Sequence, residues 1–153
     1  MSQYRISSNA TESGHETNYL VDNNNDTYFH TVWRDSEVAE NHYFQIDLGD
    51  GESLSEFVLK YTTYTTGWTA DLPTTIVVTA STDGELWNDI TTLTNLPTTQ
   101  GTDYTSAVLG DGSTSYRYWR FTVTGTSSGG SFNGYKYFGL AEVKLNIPET
   151  QVH

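Results

Sequence analysis

Side-chain oxygens recur through the segment Asp22-Asn23-Asn24-Asn25-Asp26-Thr27. If the backbone curls there, oxygens from alternate positions converge, and carboxylate, amide and carbonyl oxygens are what calcium takes as ligands. Asp22, Asn24 and Asp26 match the opening of an EF-hand loop, but Thr27 stands where that loop needs glycine, and Trp33 where it needs a bidentate glutamate. The segment is therefore not an EF-hand. The same residues also make a good metal-free turn, because Asn and Asp bond their own backbone, and the local sequence leaves both open. His30 and Trp33 follow directly. A rigid loop displays both; the alternative is a buried, satisfied His30 and a Trp33 that fills the end of the core.

Other reactive chemistry is sparse. The histidines are His15, His30, His42 and His153, and there is no cysteine, which removes disulfides, thiolate zinc sites and cysteine nucleophiles together. No GxSxG, HExxH or GxxxxGK[ST] pattern and no glycine-rich phosphate loop occurs, so the expectation is a protein that is not an enzyme. With 19 Asp+Glu against 7 Lys+Arg and a net charge of -12, the surface repels nucleic acid and anionic lipid. No apolar run is long enough to span a membrane. The polar start MSQYRISSN is not a signal peptide, so the chain reads as an excised module or a mature form.

The elements that must position these residues read as strands. Thr, Ser, Gly, Asn and aromatic residues dominate, including 11 Tyr and 4 Trp, which favours an all-β fold. Period-two alternation puts Phe44, Ile46 and Leu48 on one face. The same pattern aligns Phe57, Leu59 and Tyr61, with the strand running on to Tyr64, and then Ile76, Val78 and Ala80. A weaker set spans Trp87 to Leu93, and further sets are Trp119, Phe121 and Val123, then Ala141, Val143, Leu145 and Ile147. Turn clusters GDGES, STDGE and GDGST between them predict an antiparallel sandwich. Long loops at residues 10–42, 62–74 and 124–138 are where a binding surface belongs. Residues 1–153 read as a single module with an ordered core of about 4–147 and a frayed tail from Pro148.

Six segments in order carry a family resemblance: DNNNDTYFHTVW at 22–33, YFQIDLG at 43–49, LKYTTY at 59–64, STDGELWNDI at 81–90, YRYWRFTV at 116–123 and FGLAEVKL at 138–145. Their order and spacing resemble the discoidin or coagulation factor 5/8 type C domains, and within them the family 32 carbohydrate-binding modules. The resemblance implies an antiparallel jelly-roll β-sandwich and a structural calcium ion (Ca2+). The implied ligands are the side chains of Asp22, Asn24 and Thr27, with Glu142 from the last strand. Backbone carbonyls of Tyr19, Thr27 and Ala141 complete the set. Such an ion ties the first long loop to the C-terminal strand.

For a ligand, the resemblance implies galactose-type or related neutral sugars bound by the loops at one end of the sandwich. His30 then hydrogen-bonds sugar hydroxyls and Trp33 packs on the apolar sugar face. Many galactose-binding relatives carry an arginine after a Tyr-x-x pattern. Here Tyr61-Thr62-Thr63 is followed by Tyr64, and no Lys or Arg lies between Lys60 and Arg117, so either Tyr64 substitutes as a stacking or hydroxyl donor or the ligand is not simple galactose. Trp68, Phe132, Asn133 and Tyr135 are further expected ligand residues, with Tyr137 and Phe138 in the core. The partner is a glycan or polysaccharide, not nucleic acid or a membrane interior. The expected module is monomeric, bacterial and extracellular or on the cell surface, and is tethered to a catalytic domain or surface protein. A protein-adhesion domain of the same fold, without sugar specificity, is the alternative.

Overall fold

The structure, a computed structural model, describes residues 4–65 and 70–147. Its strands are β1 (Arg5–Ser8), β2 (Phe29–His30), β3 (Tyr43–Asp47), β4 (Phe57–Thr62), β5 (Pro73–Ser81) and β6 (Asn88–Leu93). They continue with β7 (Asp103–Leu109), β8 (Tyr118–Thr126), β9 (Ser131–Phe132), β10 (Tyr135–Lys136), β11 (Gly139–Leu140) and β12 (Glu142–Asn146). A five-stranded sheet in the order β1-β3-β8-β5-β6 accompanies a three-stranded sheet in the order β12-β4-β7, and every recorded pairing is antiparallel. A 3-10 turn over Thr17–Val21 is the helical element among the described residues.

The alternating residues face inward as the sequence predicts. Phe44, Ile46 and Leu48 on one side, and Phe57, Leu59 and Tyr61 on the other, are all buried in one cluster with Ile76, Val78, Ala80, Trp119, Phe121 and Val123. Phe57 meets Trp119 edge to face at 4.8 Å, and Phe44 stacks on Phe121 at 4.9 Å. Each such side chain contributes about 1.5–3 kcal/mol on burial, so this layer holds the two sheets together. β4 ends at Thr62 rather than running on to Tyr64. β1 and β7 are additions to the strands the sequence predicts. β7 buries only Ser106 and Leu109, and the Ser106 hydroxyl accepts the Leu59 amide at a bulge.

Many of the acidic residues have local structural work. Asp83 Oδ1 accepts the amides of Glu85 and Leu86, and Asp111 Oδ1 those of Ser113 and Thr114, in the turns β5–β6 and β7–β8. Beside Asp111, Gly110 has φ 96°, and a Cβ there would lie 2.1 Å from the Ser55 carbonyl oxygen, so only glycine closes that turn. The arginines beside and within β8 are engaged too. Arg117 grips Asp47 at 2.7 and 3.1 Å and Asp50 at 2.7 Å, while Arg120 lies between the rings of Tyr43 (4.1 Å) and Trp87 (3.9 Å).

At the other end of the sandwich the three long loops interlock. β2 pairs with β11, placing His30 opposite Gly139. Thr31 donates its amide to the Phe138 carbonyl at 2.8 Å, Gly139 to Asp71 at 3.0 Å, and Ser127 to Leu72 at 2.8 Å. Gly139 is required here: a Cβ would meet the Phe29 carbonyl oxygen at 2.7 Å, His30 at 2.8 Å and Tyr64 at 3.0 Å. The Thr31 hydroxyl accepts the Phe138 amide at 3.0 Å and lies 2.8 Å from Nδ1 of buried His42.

Burial, reinforced by the neighbouring His30, pushes the His42 imidazole down to about 4 from 6.5. Between those values the unfolded chain binds more protons than the folded one, so stability falls as pH drops from 6.5 towards 4. At about 1.4 kcal/mol per unit the expected loss from this one group is roughly 3 kcal/mol. His42→Gln should flatten that acid limb in urea-midpoint measurements. An unchanged slope would place the responsible proton elsewhere.

Candidate functional site

The loop between the 3-10 turn and β2 curls into successive Asx turns. Asp22 Oδ1 accepts the Asn24 amide at 3.0 Å and Asn24 Oδ1 the Asp26 amide at 2.9 Å. The Thr27 hydroxyl lies against Asp22 Oδ2 and donates within reach of the Asn24 carbonyl at 3.0 Å. Asn23 takes a left-handed φ of 57°, which Asn tolerates better than most residues. Glu142, at the start of β12, reaches this loop across 118 residues, and its Oε1 accepts the same Asn24 amide at 3.0 Å. The 3-10 turn that carries Tyr19 packs against β12, and Ala141 precedes that strand with its amide bonded to the Thr62 carbonyl at 2.9 Å.

The electrostatics of this cluster are those of an unbalanced pair. Burial, with Asp22 adding to it, pushes the Glu142 carboxyl up to about 7. Asp22 is held below the usual carboxylate range: its slight burial acts the other way and is outweighed by contacts from Glu142, Thr27 and the Asn24 amide. Two touching carboxylates need a proton or a cation between them. The oxygens at hand are two carboxylates, an amide, a hydroxyl and nearby carbonyls, without nitrogen or sulfur donors, a set that suits a hard divalent ion. No three His, Cys, Asp or Glu side chains gather among the described residues, so neutral oxygens must complete any such shell.

Beside this loop lies a rim of rings. His15 stacks on Tyr28 at 4.3 Å and Tyr28 on Tyr64 at 4.7 Å. His30 stands edge-on to Trp33 at 4.6 Å, and Tyr137 comes within 5.9 Å of His30. Trp33 is half-buried, so part of the indole faces solvent. Arg34 extends over that ring at 5.7 Å and pairs loosely with Glu12 at 3.5 Å.

Three expected ligand groups have other work. His30 is 3% exposed, with Nδ1 at 2.6 Å from the Thr31 carbonyl and Nε2 at 2.9 Å from Asp71 Oδ2. Neither ring nitrogen is left for a ligand, so the expectation that it meets sugar directly is corrected: it braces the rim. Tyr64 is 2% exposed and does not stand in at the surface for an arginine. Its ring underlies Tyr28 and its hydroxyl accepts the Asp71 amide at 2.6 Å. Burial pushes that phenol up, so it stays protonated. Asn133 is exposed, but its Nδ2 donates to the Ser36 carbonyl at 2.8 Å, tying its loop to the segment after Trp33.

Phe132 and Tyr135 face each other across the β9–β10 hairpin and are half-buried. Positive φ at Asn133 (55°) and Gly134 (86°) closes that hairpin, as a primed turn requires. Phe138 is buried, as expected of a core residue, while Tyr137 is half-buried. Trp68 lies outside the described residues. The structure adds Asp71, Ser128, Tyr28 and His15 to the site. Tyr28 lies within the segment 22–33 already singled out; Asp71 had no signal.

The sequence matches the profile of the F5/8 type C domain over residues 3–137. The chain belongs to that family. Solved structures sharing the fold of this F5/8 type C domain include the family 32 carbohydrate-binding module of C. perfringens NanJ, in complex with galactose. It is 18% identical with a TM-score of 0.68, and the match covers 93% of this chain and 92% of that one. A second is CpGH89CBM32-5 from Clostridium perfringens, in complex with GalNAc-β-1,3-galactose, at 14% identity, TM-score 0.69 and 94% coverage of both chains. In a family 89 glycoside hydrolase from Clostridium perfringens, 98% of this F5/8 type C domain aligns with 14% of the enzyme, at 16% identity and TM-score 0.65. No curated protein matches the sequence.

Proposed function

We propose that this F5/8 type C domain is a non-catalytic carbohydrate-binding module, clamped by a structural calcium ion and taking a neutral sugar of galactose type or a related kind at its loop end. The half-buried Trp33, braced by the buried His30 and Asp71, carries the proposal. A partly exposed indole gives apolar contact to the C–H face of a pyranose, while polar groups beside it orient the hydroxyls. The galactose and GalNAc-β-1,3-galactose complexes of two fold neighbours support the sugar class.

Calcium is inferred from the oxygen set of Asp22, Asn24, Thr27 and Glu142, with carbonyls of Tyr19, Thr27 and Ala141 available to complete it. When bound, the ion balances two carboxylates and links the first long loop to β12. Asn24 and Asp26 shape the turn, and Glu142 anchors it to the sheet. The module works outside the cell or at its surface, as a monomer tethered to a glycan-active enzyme or surface protein.

An immobilised glycan panel tests this function. Retention on galactose-containing glycans, with release by free sugar, is expected. Retention from cell-surface extracts that survives glycosidase treatment would instead assign protein adhesion.

A further inference from the structure

Asp71 is held on the rim through both its backbone and its side chain. Its amide donates to the Tyr64 hydroxyl at 2.6 Å and its carbonyl accepts the Gly139 amide at 3.0 Å. Its side chain meets His30 Nε2 through Oδ2 at 2.9 Å and the exposed Ser128 hydroxyl through Oδ1 at 2.5 Å. The side chain is still 13% exposed. A carboxylate offers about four lone-pair positions; His30, Ser128 and the Tyr64 hydroxyl take three among the described residues, which leaves one acceptor position on the open part of the side chain.

His30 is the one basic side chain against Asp71 among the described residues, at 2.9 Å. Among the described residues no Lys or Arg touches Asp71, and Arg34, the cation over Trp33, pairs with Glu12. Where the resemblance leads one to expect arginine donors, the chain has a buried tyrosine and, behind it, this acceptor. Asp71 and Trp33 both contact the ring of His30, so a single pyranose on the indole can reach the carboxylate.

We propose that Asp71 contacts the ligand and makes the site select a hexosamine with a free amino group over the matching neutral hexose, and exclude the hexuronate. This rests on the carbohydrate reading of the rim. An ammonium gives Asp71 a charge-assisted hydrogen bond, stronger than a hydroxyl gives, whereas a uronate sets carboxylate against carboxylate.

Titration calorimetry with galactosamine, galactose and galacturonate at neutral pH tests it. Galactosamine should bind about three- to tenfold more tightly than galactose, and galacturonate should give no measurable heat. In Asp71→Asn the ratio of galactosamine to galactose affinity should fall to about one. That variant is isosteric: its amide can keep the Ser128 contact through oxygen and the His30 contact through nitrogen. Asp50→Asn, which removes the same charge at the β3–β4 turn, should keep the wild-type ratio. Equal wild-type affinity for amine and hexose, tighter galacturonate binding, or a ratio unchanged by Asp71→Asn overturns the assignment while sugar binding stands. Binding of none of the three sugars overturns the carbohydrate reading with it. The wild-type ranking decides even if a variant fails to fold.

Discussion

Stripped of calcium by chelator, the protein should melt roughly 5–10 °C lower than in excess calcium. An ion at a hundredfold excess over its dissociation constant stabilises by about 2.7 kcal/mol, and each kcal/mol moves the midpoint of a chain of this size by roughly 2–4 °C. Asp22→Ala should melt like the chelated protein and ignore further chelator. Glu142→Gln makes a sharper test, because it removes the shell's buried carboxylate and also the repulsion against Asp22. In chelator this variant should melt at or above the wild type, and in calcium below it. The two curves should therefore exchange order when the metal is added. A merely structural Glu142 would keep one order in both conditions, and an unchanged wild-type curve in chelator removes calcium altogether.

Trp33→Ala should abolish measurable sugar retention with little change in melting temperature. A shallow site binding at about 0.1–1 mM has only about 4–5.5 kcal/mol in total. Removing the ring costs about 2 kcal/mol of contact, roughly thirtyfold, which takes binding below detection. The indole is half-exposed and lies outside the buried cluster, so little core is lost. His30→Ala is not an equivalent test. Its ring is buried between Thr31, Asp71 and Trp33, and removal leaves Oδ2 of Asp71 without its His30 contact, which costs about 1–3 kcal/mol of stability. A Trp33→Ala protein that still binds places the ligand elsewhere.

The legible part of the fold was the part governed by alternation. Phe44 and Ile46, Ile76 and Val78, and Trp119 and Phe121 are all fully buried, because period two is set by the strand itself. β7 escaped because the inward residue at its middle is a polar Ser106, between the exposed Thr105 and Ala107. β1 escaped because Arg5–Ser8 offers a single apolar residue, Ile6, to the core. Within the candidate site, Trp33 is half-buried and Glu142 Oε1 accepts the Asn24 amide. The fate of His30 was hidden, since it depends on Asp71, 41 residues further on, and no local spacing encodes that contact. Tyr64 was misplaced for a related reason: the strand pattern reads as continuing through it, whereas β4 stops at Thr62 and the ring turns under Tyr28.

A galactose titration followed residue by residue with 1H–15N NMR tests most directly whether this loop end is a sugar site. The largest shifts should fall on the Trp33 indole N–H and on the backbone around Tyr28 and Asp71, with half-saturation at about 0.1–1 mM. A spectrum unmoved by galactose and galactosamine alike, or shifts confined to the outer faces of the two sheets, would contradict it.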